Sequence, residues 1–288
     1  MIGIKEFNKK IGSLKNTSKM TKTMKMVSAS KFKRAHRAQA GARIYAERLT
    51  DLMGRLSSSA QGQHPLMKAR NAIQNTLILV FTSDKGLCGG FNNNLIRAVV
   101  RWAQGEPYKH TKQNYSFCGK RGYMSFRRSV TVKKLYENIT VKPAFNDALT
   151  VADELIKSFL NNEYDEIYLA YNRFDSPMVQ TPVIEKILPL NMGGLIKSTK
   201  KASVDYVYEP EESELFNFLV PKYLNFKIYN TLLENAAGEH GARMSAMDKA
   251  SQNTVELIDK YTLLRNRARQ ASITTELIEI ISGAEALK

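Results

Sequence analysis

The two ends of the chain carry apolar residues at the spacing of long helices. Residues 1–64 and 222–288 contain no proline, which would interrupt a helix. In the first segment, apolar and small residues recur every seven positions, and a second set runs beside them with a slip of register near Phe32, as in a coiled coil. The first set is Phe7, Leu14, Thr21, Ser28, Ala35, Ala42, Leu49 and Leu56, and the second is Ile4 and Ile11, followed by Ala38, Tyr45 and Leu52.

The C-terminal segment has a matching stripe whose steps alternate between three and four residues. Its members are Met247, Ala250, Thr254, Leu257, Tyr261, Leu264, Ala268, Ala271, Thr275 and Ile278. Many residues in both stripes are Ala, Ser or Thr, which let two helices approach closely but bury little area. The pattern therefore predicts a long helical coiled coil whose stability needs length or an enclosing partner.

Between the ends, the apolar period changes to that of alternating strands and helices. Strands are predicted at 76–81, 115–118 and 166–174, and helices at 92–102 and 146–160. Residues 178–190 form an extended stretch punctuated by proline. Alternation of this kind is typical of a mainly parallel α/β layer, here of roughly 130 residues.

The pattern divides the chain into three parts. These are an N-terminal coiled-coil helix at 1–58, a central Rossmann-like α/β domain at 68–205, and the long C-terminal helix of the coiled coil at 209–288. The polar stretch from Asn191 to Ala202 is the expected linker back to that helix, whose start is marked by the proline and acids of EPEESE. Pro221 is expected to kink or restart the helix.

A glycine-rich turn, TSDKGLCGGFNNN at 82–94, follows the first predicted strand. A phosphate-binding loop needs glycines for close backbone approach, and its strongest form ends in Gly-Lys-Ser/Thr. Here the glycines are followed by Phe91 and Lys85 lies before them, so neither the P-loop nor the dinucleotide-binding pattern is met. A second candidate, CGKRG at 118–122, has arginine where a magnesium-binding hydroxyl would be needed. We interpret the first turn as structural, with a contact surface on it.

No catalytic or metal-binding constellation emerges from the sequence. The two cysteines, Cys88 and Cys118, are too few for a disulfide scaffold and have no histidine base nearby, so we interpret both as buried or bystander thiols. The four histidines lack metal-ligand spacing, and carboxylate pairs such as Asp153 with Glu154 are typical of solvated helix faces. We predict a protein without cofactor, metal or catalytic residues, in a reducing compartment.

Positive charge is concentrated in the first helix. The chain has 43 Lys and Arg against 27 Asp and Glu, a net charge of +16, and residues 1–58 hold 14 of these cations against three acids. Such a basic face indicates an acidic partner, either nucleic acid or an acidic protein surface. The aromatics Phe7, Phe32 and Tyr45 occupy seam positions and do not interleave with the cations as base-stacking residues would. This favours a protein partner.

Four stretches of the sequence resemble a known family. They are KNTSKMTKTMKMVSASKFKRA at 15–35, FTSDKGLCGGFN at 81–92, ENAAGEHGARMSAMDKAS at 234–251 and LLRNRARQASITTELIEIISGAEAL at 263–287. In wording and order they are similar to the gamma subunits of rotary F-type ATP synthases. The resemblance covers both terminal helices densely and the middle mainly through the glycine loop and CGKRG.

The resemblance implies a non-catalytic central shaft. The two ends would form an antiparallel coiled coil that rotates inside a ring of alternating alpha and beta subunits, and the α/β domain would be a foot on the membrane c-ring, beside an epsilon subunit. The shaft would couple proton or sodium flow to ATP synthesis or hydrolysis on the beta subunits. Carried over residue by residue, partner contacts fall on Lys22, Met24, Lys25, Lys85, Cys88, Glu239, Arg243, Arg269 and Gln270. At Gly241 the family usually has alanine, and a glycine inside a helix costs about 1 kcal/mol.

Two other function classes stay open at this point. One is a basic coiled-coil nucleic-acid-binding protein, and the other is a nucleotide-dependent α/β enzyme; binding assays with duplex DNA and with ATP distinguish them. No apolar run approaches the ~18 residues of a membrane span, and the start MIGIKEFNKK lacks the apolar core of a secretion signal. We expect a peripheral protein on the cytoplasmic face of a bacterial inner membrane, with the mitochondrial matrix face as the alternative.

Overall fold

The described part of the chain contains five α-helices and five β-strands. The computed structural model describes residues 3–59, 64–70, 72–106, 108–191, 209 and 211–285. The helices are α1 (Ile4–Ser59), α2 (Phe91–Ala103), α3 (Lys120–Phe126), α4 (Phe145–Leu160) and α5 (Glu212–Glu285). The strands are β1 (Asn75–Phe81), β2 (Lys112–Cys118), β3 (Thr131–Tyr136), β4 (Glu166–Phe174) and β5 (Gln180–Leu188).

The residues fall into two compact units. The helical unit contains residues 1–28 and 244–288, and the sheet unit contains residues 29–243. Helices α1 and α5 therefore each contribute to both units. The three-part division predicted from the sequence has its boundaries at the ends of the long helices, whereas the two compact units divide within those helices. The three-part division stays a prediction. Apart from Asn191, the expected linker up to Ala202 lies outside the described residues.

The sheet unit is built around one sheet with the strand order β3-β2-β1-β4-β5. β1 is parallel to both of its neighbours, and β3 is parallel to β2, while β5 is antiparallel to β4. Successive side chains of a strand point to opposite faces. Accordingly Leu77, Leu79 and Phe81 lie in one apolar cluster with residues of α1, α4 and α5, whereas Ile78 and Val80 lie in a second cluster with residues of α2. Both faces of the sheet are covered, as expected for a parallel α/β layer.

Several elements differ from the sequence-based expectation. α3 and β3 were not predicted, since α3 is only seven residues long and β3 is an edge strand with a single buried residue. α5 runs through Pro221 without interruption, so the expected restart of the helix is wrong. Proline removes one helical donor, and the carbonyl that loses its partner belongs to Asn217, an exposed residue.

The seven-residue register of α1 is continuous. The predicted slip near Phe32 is wrong, because Ala38 and Tyr45 are exposed. The second seam instead continues from Ile11 in steps of seven. Its members are Ser18, Lys25, Phe32, Gln39, Ala46 and Met53, all buried or half-buried. The first seam follows its predicted positions, and its Leu49 and Leu56 are buried.

The helical unit is an antiparallel pair. Lys25 lies 2.6 Å from Asp248, and the ring of Phe7 lies 6.3 Å from that of Tyr261, so α1 and α5 run in opposite directions. Two buried seam hydroxyls are satisfied within their own helices: Thr21 donates to the carbonyl of Ser18, and Thr254 donates to the carbonyl of Ala250. A hydrogen bond of this kind offsets the free-energy cost of removing the hydroxyl from water. This explains how a polar seam packs two helices closely.

α5 extends well past the start of α1. Phe7 is near the beginning of α1 and lies beside Tyr261, whereas α5 continues to Glu285. About 20 residues of α5, roughly 30 Å, therefore have no partner from α1. This segment exposes large apolar side chains on more than one face. They are Ile273, Leu277, Ile278, Ile280 and Ile281, which are 49–68% exposed.

Candidate partner-contact site

The glycine loop connects β1 to α2 and is held from several sides. The backbone amide of Ser83 donates to the side-chain oxygen of Asn92, and the amide nitrogen of Asn92 donates to the Ser83 hydroxyl. Asp84 accepts hydrogen bonds from the backbone of Lys120 and the hydroxyl of Thr140. Leu87 and Gly89 both have positive φ angles, 64° and 58°, a conformation that glycine tolerates and leucine rarely adopts. The loop is therefore a tightly specified turn.

The CGKRG motif packs directly beneath this loop. The hydroxyl of Thr82 donates to the carbonyl of Gly119 and accepts from the backbone of Gly122. A Cβ on Gly119 would lie 2.3 Å from the Thr82 carbonyl oxygen. Gly119 is thus required by close backbone approach, which gives the second glycine motif a structural role.

Arg243 joins the long helix to the glycine loop. Its guanidinium donates to the backbone carbonyls of Lys85 at 2.9 Å and Gly86 at 3.1 Å. The same group forms an ion pair with Glu239 at 2.7 Å, one turn earlier on α5. Both side chains are buried, with Arg243 and Glu239 only 8% and 5% exposed. A guanidinium with this many partners holds the loop and the helix in one fixed geometry.

His240 completes this buried cluster. Nη1 of Arg243 lies 3.3 Å from Nδ1 of His240, and because a guanidinium only donates, Nδ1 must be free of a proton. Burial, together with the positive charges of Arg243 and Lys31, lowers the pKa of His240 to about 4. Burial also raises the pKa of Glu239, against the opposing effect of Arg243. The imidazole is therefore neutral at physiological pH.

This lowered pKa predicts acid sensitivity of the sheet unit. Below pH 6.5 His240 binds a proton in the unfolded protein but stays neutral in the folded protein. The free energy of unfolding therefore decreases as the pH falls towards about 4. A difference of this size corresponds to about 3 kcal/mol. We expect His240→Gln to remove that dependence in urea unfolding followed by Trp102 fluorescence. Glu239 is present in both proteins, so the difference between their pH slopes isolates His240, and parallel slopes would contradict the prediction.

The crevice at the carboxyl ends of β1 and β4 is filled by α5. In sheets of this topology the crevice is where nucleotides bind. Asn235 donates from its side chain to the Thr82 carbonyl at 3.3 Å, and a Cβ on Gly238 would meet the Phe91 ring at 3.0 Å. The chain's own helix therefore contacts the end of β1 and the start of α2. This supports the structural interpretation of the glycine loop, while the absence of nucleotide binding stays a prediction.

The partner-contact candidates differ widely in exposure. In the sheet unit, Lys85 is exposed, but Cys88, Glu239 and Arg243 are buried. The thiol of Cys88 lies near Ser83 and Asn92, and burial raises its pKa. In the helical unit, Lys22, Arg269 and Gln270 are exposed, and Met24 and Lys25 are half-buried. The role of all nine as partner contacts stays a prediction.

Nearly the whole chain matches a family model. The model, described as ATP synthase, matches residues 3–287. A curated relative, the ATP synthase gamma chain of Geobacter sp. (strain M21), is 42% identical over 100% of both chains. The chain belongs to the ATP synthase gamma-chain family.

Solved structures agree with this family assignment. A chain of the Tetrahymena thermophila mitochondrial ATP synthase central stalk and c-ring is 26% identical, has a TM-score of 0.60, and matches over 81% of this chain and 99% of its own length. A chain of the Euglena gracilis mitochondrial ATP synthase rotor has a TM-score of 0.64 at 17% identity, over 94% of this chain and 98% of its own, and shows the fold alone. Among the described helices, none has both the length and the apolarity needed to cross a bilayer.

Gly241 lies against the β4–β5 turn. A Cβ at this position would be 3.0 Å from the Cα of Pro177 and 3.3 Å from its carbonyl oxygen. Residues 175–179 form that turn, with hydrogen bonds between the backbones of Ser176 and Val179. The glycine therefore permits a close approach of turn and helix, and this offsets its unfavourable helix propensity.

The Lys25–Asp248 pair gives Lys25 a partner within the chain. Its side chains are each 42% exposed, so the pair contributes little to stability, of order 1 kcal/mol at most. Lys25→Glu would place two carboxylates together, whereas the swap Lys25→Glu with Asp248→Lys keeps an intrachain pair and reverses the outward charge. If Lys25 also contacts an acidic partner, we expect the swapped protein to fold normally but to support less ATP-driven proton pumping. Equal pumping by the swapped and wild-type complexes would show that Lys25 serves Asp248 alone.

Lys22 is a control for Lys25, because it has no ion-pair partner among the described residues of the chain. It is also exposed. Lys22→Glu should therefore leave the thermal unfolding of the isolated chain unchanged. Lower proton pumping by the assembled complex, together with unchanged unfolding of the isolated chain, would show that the charge of Lys22 acts on a partner. Unchanged pumping would contradict that role.

Proposed function

We propose that this chain is the central rotating shaft of an F-type ATP synthase. Its paired ends turn inside the ring of alternating alpha and beta subunits, and its sheet unit is the foot that contacts the membrane c-ring and an epsilon subunit. The shaft couples proton or sodium flow to ATP synthesis or hydrolysis. The chemistry takes place on the beta subunits, and this chain is not an enzyme.

The antiparallel pairing of the two chain ends carries this proposal. Lys25 with Asp248 and Phe7 with Tyr261 define a helical pair built from residues more than two hundred positions apart in the sequence. The unpaired continuation of α5 is apolar on several faces, so a single neighbouring helix would not cover it. Exposed in water, this surface would favour aggregation, whereas inside a close-fitting sleeve it would form a bearing.

Torque transmission needs stiff contacts and complementary charge, and it needs no active site. A shaft presents a different side to each catalytic site. It favours whichever conformation of that site makes contacts of lower free energy with the side presented. The basic face of α1 suits acidic levers on the ring, because complementary charges favour the correct pairing and register. Arg269 and Gln270 lie where the polar helix meets the apolar tip, and we assign them to a polar contact with the ring.

Membership of the family supports a peripheral position at a membrane. The relatives that match over their full length include bacterial gamma chains such as that of Geobacter. We infer a peripheral position on the cytoplasmic face of a bacterial inner membrane, with attachment through the other subunits. The division into an N-terminal helix at 1–58, a foot domain at 68–205 and a C-terminal helix at 209–288 is part of this proposal.

Co-purification from the native membrane tests the proposed function. A tagged chain should bring down alpha, beta and epsilon subunits and the c-ring in a complex that hydrolyses ATP. Capture of duplex DNA with steep salt dependence, in place of those subunits, would favour the nucleic-acid-binding alternative. No relative or solved structure described here favours that alternative.

A further inference from the structure

A cavity lies in the sheet unit where α1, α5 and the end of β4 meet. Its volume is about 540 Å³, within the range of sites that hold small molecules. Residues four apart on a helix share one face, and both helices line the cavity in this way. From α1 these residues include Arg43, Glu47 and Asp51, and from α5 they are Asn230 and Glu234.

The two arginines of the cavity wall are already paired with carboxylates of the same wall. Arg43 lies 2.8 Å from Glu47, one turn later on α1. Arg173 lies 3.0 Å from Asp175 at the end of β4. Because each guanidinium is neutralised by its own carboxylate, the arginines do not make the cavity a site for an anion.

Two further carboxylates of the wall, those of Asp51 and Glu234, form no ion pair within the described residues. Glu234 is only 9% exposed, and one of its oxygens accepts a hydrogen bond from the backbone amide of Phe174 at 3.0 Å. Burial raises the pKa of Glu234, because that bond and the positive charge of Lys227 only partly offset the loss of hydration. A buried carboxylate in this state is stabilised by a cation that enters the cavity.

An unsatisfied acceptor lies one turn before Glu234 on α5. Oδ1 of Asn230 is buried and accepts no hydrogen bond within the described residues. A ligand with N–H donors would supply the missing bond. In the part of the chain that the structure describes, no three acidic, histidine or cysteine side chains converge as metal ligands. Acceptors spread around a cavity fit an elongated cation with several N–H donors better than a metal ion.

We propose that this cavity binds a linear polyamine, an organic cation that carries several ammonium groups on a flexible aliphatic chain. Its ammonium groups pair with Asp51 and Glu234, and an N–H donor satisfies Oδ1 of Asn230. The aliphatic part lies against Ala46 and Phe174, which also line the cavity. This binding site goes beyond the shaft function and does not depend on it.

The charge of the whole chain makes polyamine binding a selective observation. A net charge of +16 repels a polycation from the protein as a whole, so binding has to come from a local acidic site. In equilibrium dialysis of the isolated chain against the triamine spermidine, we expect saturable binding of a single molecule. Mg²⁺ at the same concentration should displace little of it. Absence of saturable binding, or full displacement by Mg²⁺, would overturn the site.

Glu234→Gln removes the charge but keeps an oxygen that accepts from the Phe174 amide. We expect spermidine to bind about tenfold more weakly to this variant, the effect of one lost charge-assisted hydrogen bond. Asp51→Asn, on the half-buried α1 side, should weaken binding several-fold and carries the test if Glu234→Gln does not fold. Asp153→Asn removes an exposed carboxylate of α4 outside the cavity and should bind as the wild type does. Wild-type affinity in both cavity variants would overturn the proposal.

The assembled complex distinguishes a free polyamine from a neighbouring protein. Spermidine binding should persist in the complex and should be weakened there by Glu234→Gln. Loss of binding on assembly would show that a neighbouring subunit fills the cavity, and it would overturn a free polyamine as the ligand. If the chain does not assemble with catalytic subunits at all, the proposed function fails while dialysis of the isolated chain still decides the binding site.

Discussion

Gly119→Ala is expected to lower the free energy of unfolding of the sheet unit by about 3 kcal/mol or more, one of the largest effects of any single substitution in this chain. The new Cβ would lie 2.3 Å from the carbonyl oxygen and 2.8 Å from the carbonyl carbon of Thr82, and the φ of Gly119 is 107°. The contacted atoms are backbone, and Thr82 is held by its own bond to the Cys118 carbonyl at 2.8 Å. Neither strand end can therefore yield without breaking the sheet.

Gly41→Ala is the matched control for this substitution. Gly41 lies in α1 within the same unit, and a Cβ there meets no atom within 4 Å. Because alanine is the better helix former, this variant should be more stable than the wild type by about 0.5–1 kcal/mol. Urea unfolding followed by Trp102 fluorescence measures both. If the free energy of unfolding of Gly119→Ala were within 1 kcal/mol of the wild-type value, the requirement for close backbone approach at Gly119 would be contradicted.

Arg269→Ala is expected to reduce the rate of ATP hydrolysis by the assembled complex about tenfold, the value of one lost charge-assisted hydrogen bond. Deleting residues 277–288 should reduce it less, because the antiparallel pair and the sheet unit remain. The deletion removes exposed apolar side chains that we assign to a bearing, including Leu277, Ile278 and Ile281. It should therefore weaken retention of the shaft in the ring more than it slows turnover.

Arg267→Ala serves as the control for Arg269→Ala. Both arginines are exposed on α5, but two residues apart they point to different sides of the helix. We expect Arg267→Ala to hydrolyse ATP at nearly the wild-type rate. The assay compares hydrolysis rate and subunit stoichiometry in the three purified complexes. A deletion complex slower than the Arg269→Ala complex would contradict this division between polar contact and bearing.

The strands and helices with strong apolar patterns could be predicted from the sequence. β1 is buried on both faces and reads as a continuous apolar run, and α4 is amphipathic with a clear buried stripe. β3 and α3 escaped prediction because an edge strand and a seven-residue helix bury too few side chains to leave a pattern. In α1 the aromatic Tyr45 suggested a seam position, but it packs against Phe226 from an exposed position while Ala46 lies in the seam.

The site was predictable only in part for a different reason. Glu239 and Arg243 were named through the family resemblance, as a polar pair on the long C-terminal helix. Their partners are backbone carbonyls of Lys85 and Gly86, more than one hundred and fifty positions away, and backbone groups carry no sequence signal. The burial of these side chains follows only from the packing of α5 on the loop.

Observation of rotation tests the shaft function most directly. Cys88 and Cys118 are both buried, so Met124→Cys on the sheet unit, at a position 56% exposed, provides a selective attachment point for an optical probe. With the catalytic ring fixed to a surface, we expect ATP to drive rotation of the probe in one direction, and rotation to stop when ATP is removed. Continued ATP hydrolysis at the full rate beneath a stationary probe would contradict the proposal that this chain is the rotating shaft.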